Sequence, residues 1–364
     1  MKIIGNPDWT NPAVRVKNAI AAPLRNALAS AGLWEPTQAA DRETIQTETL
    51  TLSGDKPAQR RLVYKKPRPQ SETVSELRYT PDGMGVVDGK IIERFSVRAP
   101  SIGEILRAQK SPPVMIELEQ ATIIEAETPY TYGDWVGDFI RALITADDVV
   151  EPILLPQSLV AKPYVARDIA ALGLSYVSHD CGTHIQSATV LRKCVPSYYW
   201  SADDVAAYRK AFNVRLTDPI NGSLLYLGRY ETISESVQRQ YPTEAVARIV
   251  ESLGGIAFDA RQSSPEIFAD LAPHAQTVIA DQGSALFGVM QWRTKNVIEL
   301  TRRDWWHSAN LFIAKGAGVE NYAVIAVDDL DETQLRTRIE GHLREFGALA
   351  RPLSARSNKS SYWQ

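Results

Sequence analysis

Two cysteines, Cys181 and Cys194, are all that this 364-residue chain contains. That is too few for a disulfide framework, and it fits a reducing compartment. No apolar run approaches the ~18 residues that a membrane-spanning helix needs. The opening MKIIGNPDWTNP also lacks the apolar stretch of a signal peptide, so a cytoplasmic location is expected. Excess charge is missing too: 40 Lys and Arg against 43 Asp and Glu leave a net charge of −3. A nucleic-acid partner is therefore not expected, and any anionic ligand must be held by local groups. Neither a G-x-x-x-x-G-K-[ST] loop nor a G-x-G-x-x-G fingerprint occurs, which argues against a P-loop ATPase or an ordinary dinucleotide dehydrogenase. The five histidines fall into no Ser-His-Asp order, and there is no G-x-S-x-G elbow. What is present, 44% hydrophobic and 23% charged residues, suits a globular chain of two domains.

Strands alternating with helices dominate the second half. Strands are expected at 224–227, 256–258, 278–280, 297–300 and 322–327, with helices at 243–253, 265–271, 285–290, 306–314 and 332–346. This spacing predicts a doubly wound parallel sheet covered on both faces. The first half reads as mixed α/β. Asp88-Gly89 sits between Val86-Val87 and Ile91-Ile92 and suits a hairpin turn, strands follow near 114–118 and 121–124, and a helix spans 134–145. A βαβ-like run then covers 153–177. The expected division is a mixed α/β domain at 1–213 and a doubly wound domain at 214–330, which the resemblance below makes the acceptor side and the nucleotide-sugar-binding side. A helix at 331–350 is expected to pack back on the first domain, and a flexible tail occupies 351–364.

Several residues could do chemistry. Within TVIADQGSALFGVMQWRTKNVIEL (277–300), a strand stops at Asp281-Gln282-Gly283-Ser284 and a helical patch follows. A diphosphate would suit the amides of Gly283, Ser284 and Ala285, because helix starts carry partial positive charge and glycine admits close approach. A plain strand-to-helix connection is the alternative. Arg229 follows a strand and could clamp a phosphate or make a loop ion pair. Glu299 could accept hydrogen bonds from ribose hydroxyls. Asp134 and Asp138 stand four apart on a helix beside Trp135 and Phe139; either a general base or a surface Asp138/Arg141 pair would explain them. His179, Cys181 and His184 fit no closed zinc pattern, and no metal is expected. Residues 12–33 and the basic run 56–68 could touch an anionic membrane surface, or form an amphipathic helix packed on its own domain and a solvated loop.

Three of these places resemble glycosyltransferase family 61 proteins. Tyr130 to Arg141 (YTYGDWVGDFIR) is similar to the family's aromatic-rich segment, Leu225 to Arg229 (LYLGR) to its strand ending in Arg, and Asp281 to Leu286 with Val297 to Leu300 to its His-Gly-Ala-x-Leu loop and Val-Ile-Glu-Leu strand. The likeness spans residues 85–330. It implies a two-domain GT-B-like architecture and metal-independent, inverting transfer from a nucleotide-sugar, UDP-linked by expectation, to a glycan hydroxyl. On this mapping Arg229, Gln282, Gly283, Ser284, Ala285 and Glu299 bind the donor. Asp138 or Asp134 is the base, and Tyr132 and Trp135 line the acceptor side. No cofactor beyond the donor is implied. Asp134 and Gln282 stand where family members carry histidine, which leaves a degenerate scaffold as one alternative and a pyruvyl-type transferase as another.

Overall fold

The structure, a computed structural model, describes residues 23–24, 26–35, 45–50, 53–54, 60–65, 71–80, 83–92, 101–108, 114–124, 132–191, 200–228, 241–259, 270–302 and 309–348. The chain forms two compact units, residues 1–48 with 61–213 and residues 49–60 with 214–364.

The first unit holds β1 (Trp34–Glu35). Next along the chain, β2 (Ile45–Leu50) pairs with β4 (Arg60–Lys65), while β3 (Ser53–Gly54) between them belongs to the second unit. The main sheet of the first unit adds β5 (Ser71–Tyr79), β6 (Gly85–Val87), β7 (Lys90–Ile92), β8 (Val114–Ile124), β9 (Ile153–Pro156), β10 (Tyr176–His179) and β11 (Gly182–Leu191). Their order is β1-β7-β6-β5-β11-β8-β9-β10, with β6 antiparallel to both β5 and β7, β5 antiparallel to β11, and β11, β8, β9 and β10 parallel. The expected hairpin is β6–β7, whose Asp88 and Gly89 both take positive φ, 51° and 75°. Val74, Leu77, Ile123, Ile185 and Val190 fill one core against this sheet. A second core joins Leu28 to Met84, Val86, Ile91 and Ile105, the last on helix α1 (Ile102–Ala108). The described part of the 12–33 helix thus uses Leu28 to pack on its own unit; the rest of that segment, and the side chains of the basic run, lie outside the described residues.

Helix α2 covers 132–145 in three sections: α-helical Tyr132–Asp134, π-helical Trp135–Ile140 and α-helical Arg141–Thr145. The amide of Arg141 bonds to Val136 O, the i→i+5 spacing of a π turn. Helix α3 (Pro163–Ala171) crosses from β9 to parallel β10, the expected βαβ unit, and α4 (Ala202–Ala211) begins in a Ser201/Asp204 capping box.

The second unit contains β12 (Ile220–Gly228), α5 (Thr243–Ser252), β13 (Ile256–Asp259), β14 (Ala275–Asp281), β15 (Asn296–Thr301), α6 (Ala309–Ala317), β16 (Asn321–Ala326) and α7 (Glu332–Glu345). Every described pairing is parallel, in the order β13-β12-β14-β15-β16-β3. Alternation along the strands sends Ile279, Ile298, Leu300, Ala323 and Ile325 to one face, where α5 and α7 cover them. Val324 and Tyr322 face Leu311 of α6 on the other. The doubly wound sheet expected from the sequence is therefore present. Helix α7, expected from the sequence to pack back on the first domain, buries Leu335, Ile339 and Leu343 in the parallel-sheet core with α5. Burial of each contributes roughly 1.5–3 kcal/mol, which fixes α7 to this unit.

Candidate functional site

Numbered within the second unit, the five long strands run 2-1-3-4-5. Successive connections from β12 leave in opposite directions, to β13 on one side and β14 on the other. Ligands of open α/β sheets bind at the carboxyl ends beside such a reversal. The carboxyl ends here are Gly228 and Asp281, so the Asp281-Gln282-Gly283-Ser284 turn stands at the switch point. Arg229 lies outside the described residues.

Asp281, 1% exposed, accepts from Tyr226 Oη on β12 at 2.9 Å and from Thr243 Oγ1 in the first turn of α5 at 3.2 Å. It fastens α5 to the sheet beside the turn. Gln282, 2% exposed, faces the opposite side; its backbone N–H reaches Leu300 O at 2.8 Å and its Oε1 accepts from Thr301 Oγ1 at 2.8 Å. Its Nε2 is buried with no hydrogen-bond partner among the described residues. Gly283 is extended, with φ 163° and ψ −177°, and opens a 3₁₀ helix, Ser284–Met290, in place of the expected α-helical patch. Gly283 and Ser284 are half-buried and Ala285 exposed, and the first amides of a helix lack intrahelical acceptors. Phe287, Val289 and Met290 anchor the helix below, and the six-membered ring of Trp292 lies against Gly288.

Glu299 has no solvent exposure. Its Oε1 accepts from Asn310 Nδ2 at 2.6 Å and its Oε2 from Tyr322 Oη at 2.9 Å. Burial, then the neighbouring Glu299 carboxyl, pushes the Tyr322 phenol well above its ordinary range. In this arrangement Glu299 ties α6 to β15 and β16 and presents no oxygen outward to a ribose. The sequence offered one hint of Asn310, a lone amide inside the apolar helix ANLFIAKGA; nothing local marked Tyr322 or Thr301.

In the first unit, α2 brings the other candidates together. Asp138 is 5% exposed and Arg141 3%, so a solvated surface pair does not describe them. Asp134 is half-buried, one turn before the buried Asp138. Trp135 corrects another expectation. It is fully buried, stacked on Phe139 with centroids 5.3 Å apart, and its Nε1 donates to Asp168 Oδ2 at 2.9 Å, so it supports α2 from within and does not face an acceptor. Tyr132 is half-buried, edge-on to Tyr164 at 5.2 Å, and burial, then Asp168, raises its phenol. Asp168, buried and paired with Arg167 at 2.7 Å, was not singled out in the sequence; an acid at the centre of the otherwise amphipathic α3 was the available signal.

His179 and His184 do not converge on a metal, and among the described residues no three His, Cys, Asp or Glu side chains are grouped to hold one. His179 is buried edge-on to Tyr79 at 5.0 Å, whereas His184 lies between Glu117 at 2.7 Å and Glu76 at 2.9 Å. Also among the described residues, no helix is long and apolar enough to cross a membrane.

No family model matches the chain, and no curated protein matches it. A solved structure of a flavo di-iron protein mutant from Thermotoga maritima aligns with 13% identity over 45% of this chain and 43% of that one, at a TM-score of 0.26.

Proposed function

We propose that the chain is an inverting glycosyltransferase of GT-B-like organisation that moves a sugar from a nucleotide-sugar donor to a hydroxyl of a glycan. One observation carries this reading. The Gly283-Ser284-Ala285 turn, with the buried Gln282 whose Nε2 has no hydrogen-bond partner among the described residues, follows the carboxyl end of β14 at the switch point of a doubly wound parallel sheet, where diphosphates are bound in such folds.

In the reaction the acceptor oxygen attacks the anomeric carbon as the bond to the diphosphate breaks. The hydroxyl proton passes to a carboxylate. Asp138, buried on α2, is the candidate base of this reading, and Asp134, half-buried one turn before it, is the alternative. Backbone amides and Gln282 stabilise the departing diphosphate as neutral donors. A degenerate, non-catalytic member is the competing reading, favoured by Gln282 and Asp134 at the two histidine positions.

Incubation with a panel of nucleotide-sugars, read as release of nucleoside diphosphate, separates these. Donor-dependent release supports the enzyme; binding without release, with and without glycan acceptors, supports the scaffold. A response to no nucleotide-sugar favours a transferase with another activated donor, the pyruvyl type included.

A further inference from the structure

Helix α2 carries a buried cation that the reading above does not use. Arg141 is 3% exposed, and its Nη2 donates to Asp204 Oδ2 at 3.0 Å. Its Nε and Nη1 are buried with no hydrogen-bond partner among the described residues. Trp200 is 1% exposed, and its Nε1 is in the same condition. The two side chains meet: the guanidinium carbon lies 5.8 Å from the Trp200 ring centroid.

All three open groups are N–H donors, and neither side chain can accept a hydrogen bond or shed its proton at ordinary pH. Buried donors of this kind are rarely left unpaired. Asp204 cannot serve them all, since its Oδ2 also accepts from Ser201 N at 2.9 Å in the capping box that starts α4. What the place calls for is an acceptor without protons of its own. With the guanidinium over the Trp200 ring, the open donors of the two side chains belong to one buried neighbourhood, and a single acceptor there would serve more than one of them. Its charge is bounded as well. Arg141 already faces one carboxylate, and Asp138 is buried on the same helix, which suits a singly charged ion better than a multiply charged one.

We propose that Arg141 and Trp200 form a site for a small monovalent anion of the chloride class. Bound there, the anion joins α2 to the start of α4 and holds the π turn that carries Asp138.

The test is thermal melting of the whole chain while chloride replaces gluconate, which is too bulky to enter, at constant ionic strength. The expected result is a saturable rise in Tm with chloride. Trp200→Phe keeps the ring against the guanidinium and removes only the N–H, so its response is expected at roughly tenfold higher chloride or not at all. Identical melting in the two salts, or an unchanged saturable response in Trp200→Phe, overturns the proposal. Crystals of the wild-type chain grown in bromide provide a second reading that needs no variant. An anomalous peak within hydrogen-bond distance of Arg141 and Trp200 supports the site, and its absence overturns it.

Discussion

His179 and His184 belong to one short segment, HDCGTH, yet their titrations act on stability with opposite signs. Burial lowers His179 to about 4, and neither ring nitrogen has a hydrogen-bond partner among the described residues. The unfolded chain therefore binds more protons than the native one between about pH 6.5 and 4. This contribution is full above pH 6.5 and is lost as pH falls toward 4, on the order of 3 kcal/mol in all. Urea unfolding at pH 7 and pH 4.5 should show the loss, and His179→Leu should flatten it; an equal slope in the variant would assign the acid sensitivity elsewhere. His184 runs the other way. Glu117, then Glu76, raises it, so its contribution is present below pH 6.5 and fades as pH climbs through the raised value. On the proposed function, Asp138→Asn is expected to abolish transfer and leave nucleotide affinity near wild type; full activity in that variant would move the base to Asp134. Residue types at the site were legible, but their surroundings were not. That Glu299 has both oxygens engaged depends on Asn310 and Tyr322, and that Trp135 is a buried support depends on Asp168; such partners meet only once strands and helices are packed.

At the scale of elements, the 3₁₀ helix Ser284–Met290 positions the candidate phosphate turn, and its own position depends on Gly288. A Cβ added there would lie 2.3 Å from the Trp292 ring. Gly288→Ala should cost roughly 1–3 kcal/mol by overpacking and weaken donor binding with it; melting and nucleotide titration of the same variant check both. Helix α5 gives a milder case. Tyr226→Phe removes one donor from Asp281, and a loss of about 1 kcal/mol in denaturant unfolding is expected. Most elements of the second unit were readable, because apolar runs of strand length alternate with helical periodicity and the Gly254-Gly255 stop lies where α5 ends. The π section of α2 was not. A sequence read at helical periodicity carries no mark of an i→i+5 turn, nor of the burial that separates Asp138 from the half-buried Asp134. Strand β3 was equally hidden: Ser53–Gly54 adds to the edge of β16 through pairing of residues distant in sequence.

For the whole molecule, the central claim is that the parallel-sheet unit holds a nucleoside diphosphate at its switch point. The alternation of elements announced the doubly wound class, but the strand order that creates a switch point between β12 and β14 is a property of tertiary pairing. A ligand bound only by the native state should also stabilise the chain, by about 2.7 kcal/mol at a hundred times its Kd. The most direct measurement is calorimetric titration of the full chain and of Gly283→Val with UDP and other nucleoside diphosphates. Gly283 is extended, a backbone state open to any residue, so valine leaves that backbone unstrained while placing a side chain where the diphosphate would approach. Saturable binding to the wild type, weakened at least tenfold in a Gly283→Val variant of unchanged Tm, is the predicted result. No binding of any nucleoside diphosphate by the wild type, or equal binding by both, would contradict it.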